Sequence, residues 1–302
     1  TGQDTTFIDG AKKPTEMGFY IQDKMEYDDI IINAGLRVDI LNPNEKTLLR
    51  PDSISIYQNS GYIKPDQWTD LGSFTEIQPR IGVSFPVTDK TVVYGYYGKF
   101  AQLVDLYATY FTAYDYRNQI ARGGYFYLNP VGFGLEPVRT TQYEVGIKQL
   151  ISNNAAIKLT GFYKNQKGLL MGDRISSPKG DLASAYNYIR NGDFATIKGL
   201  ELTLTMRRTN RLAGDFNYTL SQAEGTGSTK TSYIAAVDRL SDRPNMINPL
   251  DYNQTHVGSI NLDYRFSSND NVAWLRDFGA NMLFSFSSGH AYTFVYRPVG
   301  GQ

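Results

Sequence analysis

The chain alternates apolar and polar residues over ten short stretches, which is its most regular feature. From Ile32 to Ile40 every even position is apolar and every odd position is polar or glycine, and the same rhythm runs through 200–207 and 259–266. Side chains of a β-strand point alternately to opposite faces, so a period of two predicts strands with one apolar and one polar face. We therefore predict ten strands, at 17–27, 31–40, 74–85, 91–100, 140–150, 155–164, 196–207, 212–221, 255–266 and 278–287.

The connections between these strands alternate in length, with a hairpin turn followed by a loop of about thirty residues. The turns lie at 28–29, 86–90, 151–154 and 208–211, and the loops at 41–73, 101–139, 165–195 and 222–254. Outer-membrane barrels have short periplasmic turns and long extracellular loops. The pattern therefore favours an all-β fold, an antiparallel transmembrane β-barrel. A soluble β-rich binding protein such as a lectin stays open as an alternative.

The composition agrees with strands that cross a membrane. The chain is 41% hydrophobic, with a mean hydropathy of -0.38 and no long apolar run that would form a transmembrane helix. Barrel strands need only half of their residues apolar, so a barrel has the hydropathy of a soluble protein. Lys and Arg balance Asp and Glu at 30 each, which gives no basic excess for nucleic acid, and the absence of cysteine excludes disulfides and a thiol nucleophile.

The predicted polar face carries charges in the middle of its strands. In a narrow, dry interior these charges would be costly to bury, so we expect a wide, wet or plugged lumen and a complete barrel larger than ten strands. We expect Glu144 and Glu201 to pair with neighbouring Lys or Arg. Pro79 lacks a ladder donor and predicts a bulge or local break. The residues predicted to face the lumen are Arg37, Arg80, Glu144, Lys148, Glu201, Asp263 and Arg265.

Several short motifs stand in order along the chain and resemble those of the TonB-dependent outer-membrane receptors. The resemblance rests on hairpin motifs and on pieces of the strands that follow them. The pieces are YIQD at 20–23 with GLRVD at 35–39, PRIG at 79–82 with YGYYGKF at 94–100, LEP at 135–137 with TTQYEVG at 140–146, and NG at 191–192 with IKGLE at 197–201 and FNYT at 216–219.

The resemblance implies a bacterial outer-membrane barrel of about 22 strands with a plugged lumen, of which this sequence would supply about ten strands. It also implies energy-coupled uptake of a bulky, scarce nutrient, such as an iron chelate, cobalamin, a glycan or a peptide, with a plug domain, the TonB complex and membrane lipid as partners. We expect residues 1–302 to form one partial barrel domain, without a plug domain or a TonB box. The alternative is a barrel without transport, either a passive pore or the structural subunit of an envelope assembly with a surface lipoprotein partner.

The loop at 107–128 is unusually rich in aromatic residues and arginine. Such side chains can clamp a sugar or a chelate at the mouth of a barrel. They can equally pack the loop against itself or lie at the membrane interface. The candidate ligand-binding residues are Tyr110, Tyr114, Tyr116, Arg117, Arg122, Tyr125 and Tyr127.

No pattern in the sequence points to a catalytic or metal site. His256 and His290 are the only histidines and lack the spacing of metal ligands. Asp238, Asp242 and Asn245 could bind calcium, but their spacing matches no calcium-binding loop. Nucleophile elbows and phosphate-binding loops are missing as well. We therefore expect no enzymatic activity, no cofactor and no metal.

Overall fold

A computed structural model describes residues 11–121, 130–175, 179–181, 185–228, 246–269 and 271–292. All ten predicted strands are confirmed, and they follow one another in chain order in one antiparallel sheet. Within the described residues no helix is long and apolar enough to cross a membrane. The ten strands are β1 (Thr15–Tyr27), β2 (Ile30–Asn42), β6 (Phe74–Thr88), β7 (Thr91–Gln102), β9 (Val138–Ser152), β10 (Ala155–Ile175), β12 (Tyr186–Thr209), β13 (Leu212–Gly225), β15 (His256–Arg265) and β16 (Gly279–Ser287).

The strand register collects the alternating residues into two continuous faces. One row crosses eight strands through directly opposed residues: Phe85, Val93, Ile147, Leu159, Leu202, Tyr218, Gly258 and Phe286. We call this side the apolar face. The neighbouring row, on the other side, is Ser84, Tyr94, Gly146, Thr160, Glu201 and Thr219. We call this side the polar face.

Glycines on the polar face leave room for aromatic rings of neighbouring strands. A Cβ at Gly146 would clash with the ring of Tyr94 on β7, which lies across it. The Tyr94 hydroxyl continues past Gly146 to Thr160 on β10, where the two oxygens are 2.5 Å apart. Gly199 makes similar room for Phe162. The glycine in the motif TTQYEVG thus allows an aromatic ring to bridge three strands, and the glycine in IKGLE gives room to the ring on the neighbouring strand.

Pro79 marks a partial break in the sheet. The β2–β6 ladder passes Pro79 without a shift, whereas the β6–β7 ladder stops at Arg80, opposite Gly98. Beyond that point the backbone N–H of Ala101 on β7 donates to the Gln78 side chain at 3.1 Å. The predicted break is therefore found on the β7 side, and it opens a wedge between β6 and β7.

The prediction of a long loop at 165–195 was wrong, because β10 continues to Ile175 and β12 begins at Tyr186. A register irregularity beside Gly168, which has a φ of 74°, separates the regular part of this hairpin from its extension. The sequence Leu169-Leu170-Met171 interrupts the alternation there, which hides the extension from a search for period two.

The long connections fold together into a second structure, which we call the cap, at 43–73, 103–121, 130–137, 169–175, 179–181 and 185–191. It contains short strands β3 (Lys46–Leu48), β4 (Ser53–Ile54), β5 (Trp68–Asp70), β8 (Val131–Gly132) and β11 (Lys179–Gly180), and helices α1 (Leu106–Thr109) and α2 (Ala113–Tyr116). A further short strand, β14 (Asn248–Pro249), pairs with the end of β13. The cap has a hydrophobic core made of Leu48, Ile54, Ile56, Ile63, Phe111, Tyr116, Ile120, Val131, Phe133 and Tyr186. It stands at the end of the sheet opposite the hairpin turns.

Candidate ligand-binding mouth

Tyr116 packs inside the cap. Its side chain is 5% exposed, and its ring meets Trp68 edge-on at a centroid distance of 4.9 Å and stacks on Phe133 at 6.1 Å. Trp68 comes from the loop at 43–73, so Tyr116 joins two loops that are distant in sequence. This contact corresponds to the packing role that the sequence left open for the aromatic loop.

Arg117 and Tyr110 also connect the two loops. The Arg117 guanidinium lies over the Tyr62 ring, 4.8 Å from its centroid. The Tyr110 hydroxyl donates to the Pro43 carbonyl at 2.7 Å, beside the end of β2. Burial raises the pKa of Tyr110, and the nearby charge of Glu45 raises it further, so the phenol stays protonated as a donor.

The remaining candidates of the aromatic loop are not brought into this packing. Tyr114 is 62% exposed, although it lies only two residues from buried Tyr116 in α2. Arg122, Tyr125 and Tyr127 lie outside the described residues. Of the seven candidates, Tyr114 therefore offers the most accessible ring in the part of the chain that the structure describes.

The two loops enclose a cleft of about 280 Å³. Its floor is aromatic, with Tyr62, Trp68, Phe111 and Tyr116, and its rim carries Lys12, Glu45 and Lys46. Lys12 is paired with Glu45 at 2.6 Å, whereas Lys46 is exposed. We call this the aromatic cleft. It can stack on a flat ligand group while its rim attracts a negative one.

A second cleft, of about 240 Å³ and mostly apolar, lies between α1 and the ends of β1, β2 and β6. Leu41 and Phe74, which line it, are paired across β2 and β6 in the rows of the polar face. The loop that carries α1 therefore folds over the polar face at the mouth of the sheet.

A polar network lies beside this contact, on β2, β6 and β7. The Asp39 carboxylate, 8% exposed, accepts from Arg37 Nε at 2.9 Å and from the Gln78 amide. Gln78 in turn accepts from the Ala101 backbone, which closes part of the wedge. Arg37, a predicted lumen residue, thus holds a buried carboxylate in place, while Arg80 lies over the Phe100 ring at 4.5 Å.

Further down the polar face the charges are arranged differently from expectation. Among the described residues neither Glu144 nor Glu201 has a Lys or Arg nitrogen within 4.0 Å, so the expected pairing was wrong. Glu144 accepts instead from the Gln142 amide. The register gives the reason: Glu144 lies opposite Tyr96 and Phe162, and Glu201 opposite Thr160 and Thr219.

The basic residues of this face are likewise set by the register. Lys148 lies directly opposite Lys158, which places like charges side by side. Lys158 lies over the Tyr94 ring, 5.3 Å from its centroid. Nearer the hairpin turns Asp263 pairs with Arg208 and, at 3.3 Å, with Arg265. All seven predicted lumen residues lie on the polar face, and their role in a lumen stays a prediction.

Comparison with known proteins identifies the family. A model of the TonB dependent receptor-like β-barrel matches residues 2–300. The chain belongs to this TonB-dependent receptor family. The resemblance seen in the motifs is thereby confirmed, as is the transmembrane barrel fold, and the chain is located in the bacterial outer membrane. No curated protein matches the sequence.

Solved structures with the same fold are distant in sequence and much longer. The FrpB iron transporter from Neisseria meningitidis (F3-3 variant) is 16% identical over 85% of this chain and 31% of its own length, with a TM-score of 0.51. The alcaligin outer membrane receptor FauA from Bordetella pertussis is 14% identical over 91% and 38%, with a TM-score of 0.52. The P. aeruginosa FpvA in complex with a heterologous pyoverdine and Fe is 15% identical over 91% and 31%, with a TM-score of 0.51. The chain thus spans about a third of the length of these receptors.

Neither histidine of this receptor chain belongs to a metal cluster in the part that the structure describes. His256 Nδ1 and the Tyr218 hydroxyl are 2.7 Å apart on the apolar face. His290 contacts Gln254 and the Asp251 carbonyl, each at 2.9 Å. Asp238, Asp242 and Asn245 lie outside the described residues, so the expectation that the receptor chain binds no metal stays a prediction.

Sequence reasoning missed the half of the aromatic cleft that comes from the loop at 43–73. Tyr62, Trp68 and Lys46 carry the same aromatic and basic character as the loop at 107–128, but they are spread over more residues. A search for aromatic residues in all long loops of the receptor, rather than for the densest run, would have found them.

Proposed function

We propose that this chain forms part of the mouth and wall of an outer-membrane receptor that captures a bulky, scarce nutrient for energy-coupled uptake. The nutrient is an iron chelate, cobalamin, a glycan or a peptide, and we propose no catalytic role. The observation that carries the proposal is the aromatic cleft, which two long loops build at the end of the sheet that bears the cap. Its volume admits one part of a bulky ligand and leaves the rest to neighbouring surfaces.

An iron chelate is the first candidate among these nutrients. The Lys46 ammonium stands at the rim without a carboxylate oxygen within 4.0 Å in the described part of the chain, and it suits the negative groups that chelates present. The aromatic floor suits flat rings. FrpB is named an iron transporter, and FpvA is described in a complex that contains Fe, but at 16% identity or less these structures share only the fold with this chain.

The polar face supports the presence of a plug in the lumen. Glu144 and Glu201 have no basic partner among the described residues, and Lys148 faces Lys158. Carboxylates and ammonium groups that lack an oppositely charged neighbour are stabilised when another domain brings opposite charges next to them. We therefore propose that the polar face lines the lumen and receives a plug domain, which the TonB complex would pull.

Ligand capture tests the cleft directly. The full-length receptor in detergent is titrated with a ferric chelate, cobalamin, an oligosaccharide and a peptide, and binding is followed by tryptophan fluorescence and calorimetry. Trp68→Leu removes an aromatic ring from the cleft. We expect it to lower the affinity for the ligand about tenfold, which corresponds to about 1.4 kcal/mol, since stacking contacts have this size. Tyr57→Leu is the control, because Tyr57 is exposed on the same loop but does not line the cleft.

Uptake distinguishes transport from the alternative of a passive or structural barrel. Cells that depend on this receptor for the labelled ligand should lose uptake when a protonophore removes the inner-membrane energy source, while surface binding persists. Uptake that continues without energy would indicate a pore. Failure of all four ligand classes to bind would favour the structural subunit of an envelope assembly.

A further inference from the structure

Three tyrosines form a short belt on the apolar face, toward the end that carries the cap. Tyr97 on β7, Tyr143 on β9 and Tyr163 on β10 are directly opposed in register. Their ring centroids are 5.2 Å and 6.3 Å apart. Below them the same face continues into Val145 and Ile147. Aromatic belts of outer-membrane barrels lie at the two edges of the hydrocarbon layer, so this belt marks the outer edge.

Three cations follow the tyrosines on the same strands and on the same face. Lys99 comes two residues after Tyr97, Arg139 four residues before Tyr143, and Lys167 four residues after Tyr163. Even spacings keep a side chain on the same face of a strand. All three side chains are exposed. Lys99 and Lys167 therefore lie just outside the hydrocarbon layer, where lipid headgroups lie, whereas the Arg139 guanidinium reaches Glu76, which lies opposite Asp39 in a row of the polar face.

The cations line a cleft instead of a flat wall. Its volume is about 550 Å³, and it lies where the β6–β7 ladder has stopped at Arg80 and Gly98. The walls include Lys99, Arg139 and Lys167, with Thr141 and Asn165 between them and Tyr143 and Tyr163 at the lower end. Glu76, Gln78, Phe100 and Thr140 line the side of the cleft nearer the polar face. We call this the wall cleft.

Among the residues that the structure describes, two of the three cations have no carboxylate partner. Arg139 is held by Glu76, with its Nε 3.0 Å from both carboxylate oxygens, and by Glu136, with Nη1 at 3.0 Å. For Lys99 and Lys167 the structure shows no carboxylate within 4.0 Å, among the residues it describes. The wall cleft thus combines a guanidinium held by two carboxylates with two ammonium groups that have no carboxylate partner among the described residues.

We propose that the wall cleft binds the phosphate of an outer-leaflet lipid headgroup, with the acyl chains of that lipid lying on the tyrosine belt and the apolar face. Ammonium groups bind phosphate as point charges, and Thr141 and Asn165 can donate hydrogen bonds to its oxygens. Charge and position both favour a lipid: Arg139 is neutralised by Glu76 and Glu136, so Lys99 and Lys167 supply the positive charge of the cleft, and they lie directly above the apolar face. The inference depends on the outer-membrane location and is independent of the nutrient.

Lipid retention by the full-length receptor tests this site. The purified receptor is depleted of lipid in detergent and titrated with lipid A, with lipid A stripped of its phosphates, and with inorganic phosphate, and native mass spectrometry reports the bound species. Lys99→Gln combined with Lys167→Gln should weaken lipid A binding about thirtyfold, since each basic residue near an anionic lipid surface contributes about a factor of five. The control, Lys158→Gln with Lys164→Gln, removes the same charge from the opposite face of β10.

The outcomes separate a lipid site from a general anion site and from a purely apolar contact. We expect Lys99→Gln/Lys167→Gln to lower the affinity for lipid A and to leave the affinity for the phosphate-free lipid unchanged. The control pair should change neither affinity. Equal binding of both lipids, or equal loss in the two double variants, would overturn it. Displacement of lipid A by millimolar inorganic phosphate would also overturn it, because the site would then take free anions. Nutrient binding should be unchanged in Lys99→Gln/Lys167→Gln, which keeps this test separate from the proposed function.

Discussion

The wall of the barrel and the cap place their apolar residues in opposite ways. Val145 in the wall is 63% exposed on the apolar face, whereas Ile54 in the cap is fully buried among side chains from other loops. The wall obtains its order from backbone ladders between neighbouring strands of one antiparallel sheet. The cap obtains it from a small hydrophobic core of the kind found in soluble proteins. One chain thus uses two kinds of packing, one suited to a membrane and one suited to water.

The cap should therefore be sensitive to core deletions that leave the wall intact. Tyr116→Ala removes a ring that contacts Trp68, Phe111 and Phe133, and should destabilise the cap by about 3 to 5 kcal/mol. Limited proteolysis of the folded receptor measures this as faster cleavage within 43–73, 103–121 and 130–137. The heat-dependent shift of the barrel on electrophoresis should stay unchanged.

Tyr114→Ala is the matched control for that experiment. It deletes the same side chain two residues away, where the ring is 62% exposed. The proteolysis rate should stay close to that of the unchanged receptor. Equal effects of Tyr114→Ala and Tyr116→Ala would mean that the core of the cap does not depend on Tyr116.

The wall should respond to charge according to face. Leu202 lies in the apolar row between Leu159 and Tyr218, and Leu202→Arg should cost about 2 to 4 kcal/mol of assembly free energy near the midplane. Thr203→Arg, on the polar face opposite Lys158 and Asn217, should cost at most about 1 kcal/mol through like-charge repulsion. Folding titrations into lipid vesicles give both values, and similar costs would contradict the assigned faces.

The difference between wall and cap also explains what could be predicted from the sequence. The wall follows a local rule, since alternation along each strand fixes which residues share a face, and all ten strands and the side of Leu202 followed from it. The cap follows no local rule. The Ile56 amide donates to Asp181 across 125 positions, a contact that no short pattern contains.

The candidate site shows the same limit at the scale of single residues. Tyr114 and Tyr116 are equivalent by composition, but α2 is only four residues long, so no helical period shows which ring points inward. Glu144 and Glu201 were assigned to the correct face by alternation, whereas their expected ion pairs failed because the register between strands places neutral residues opposite them. Faces could be predicted locally, and partners required the register.

Asn191 lies where the wall and the cap join, and it belongs to one of the family motifs. Its amide nitrogen donates to the Glu136 carbonyl at 2.9 Å and to the Gly168 carbonyl at 2.7 Å, and its oxygen accepts from the Glu136 N–H at 2.8 Å. One side chain thus fixes the loop before β9 and the irregularity in β10. Asn191→Ala should cost about 1 to 2 kcal/mol, since these bonds are only partly buried.

Hydrogen exchange locates that loss. Amide protection should fall at 168–175 and at Glu136, while the ladder between 140–150 and 155–164 keeps its protection. Asn191→Asp should resemble Asn191→Ala, because a carboxylate cannot donate to the two carbonyls. Asn217→Ala makes the same substitution within the wall and should change neither region. If Asn191→Ala lowered the amide protection of 140–150 and 155–164 as much as that of 168–175, the wall and the cap would unfold as one unit, and the division between them would not hold.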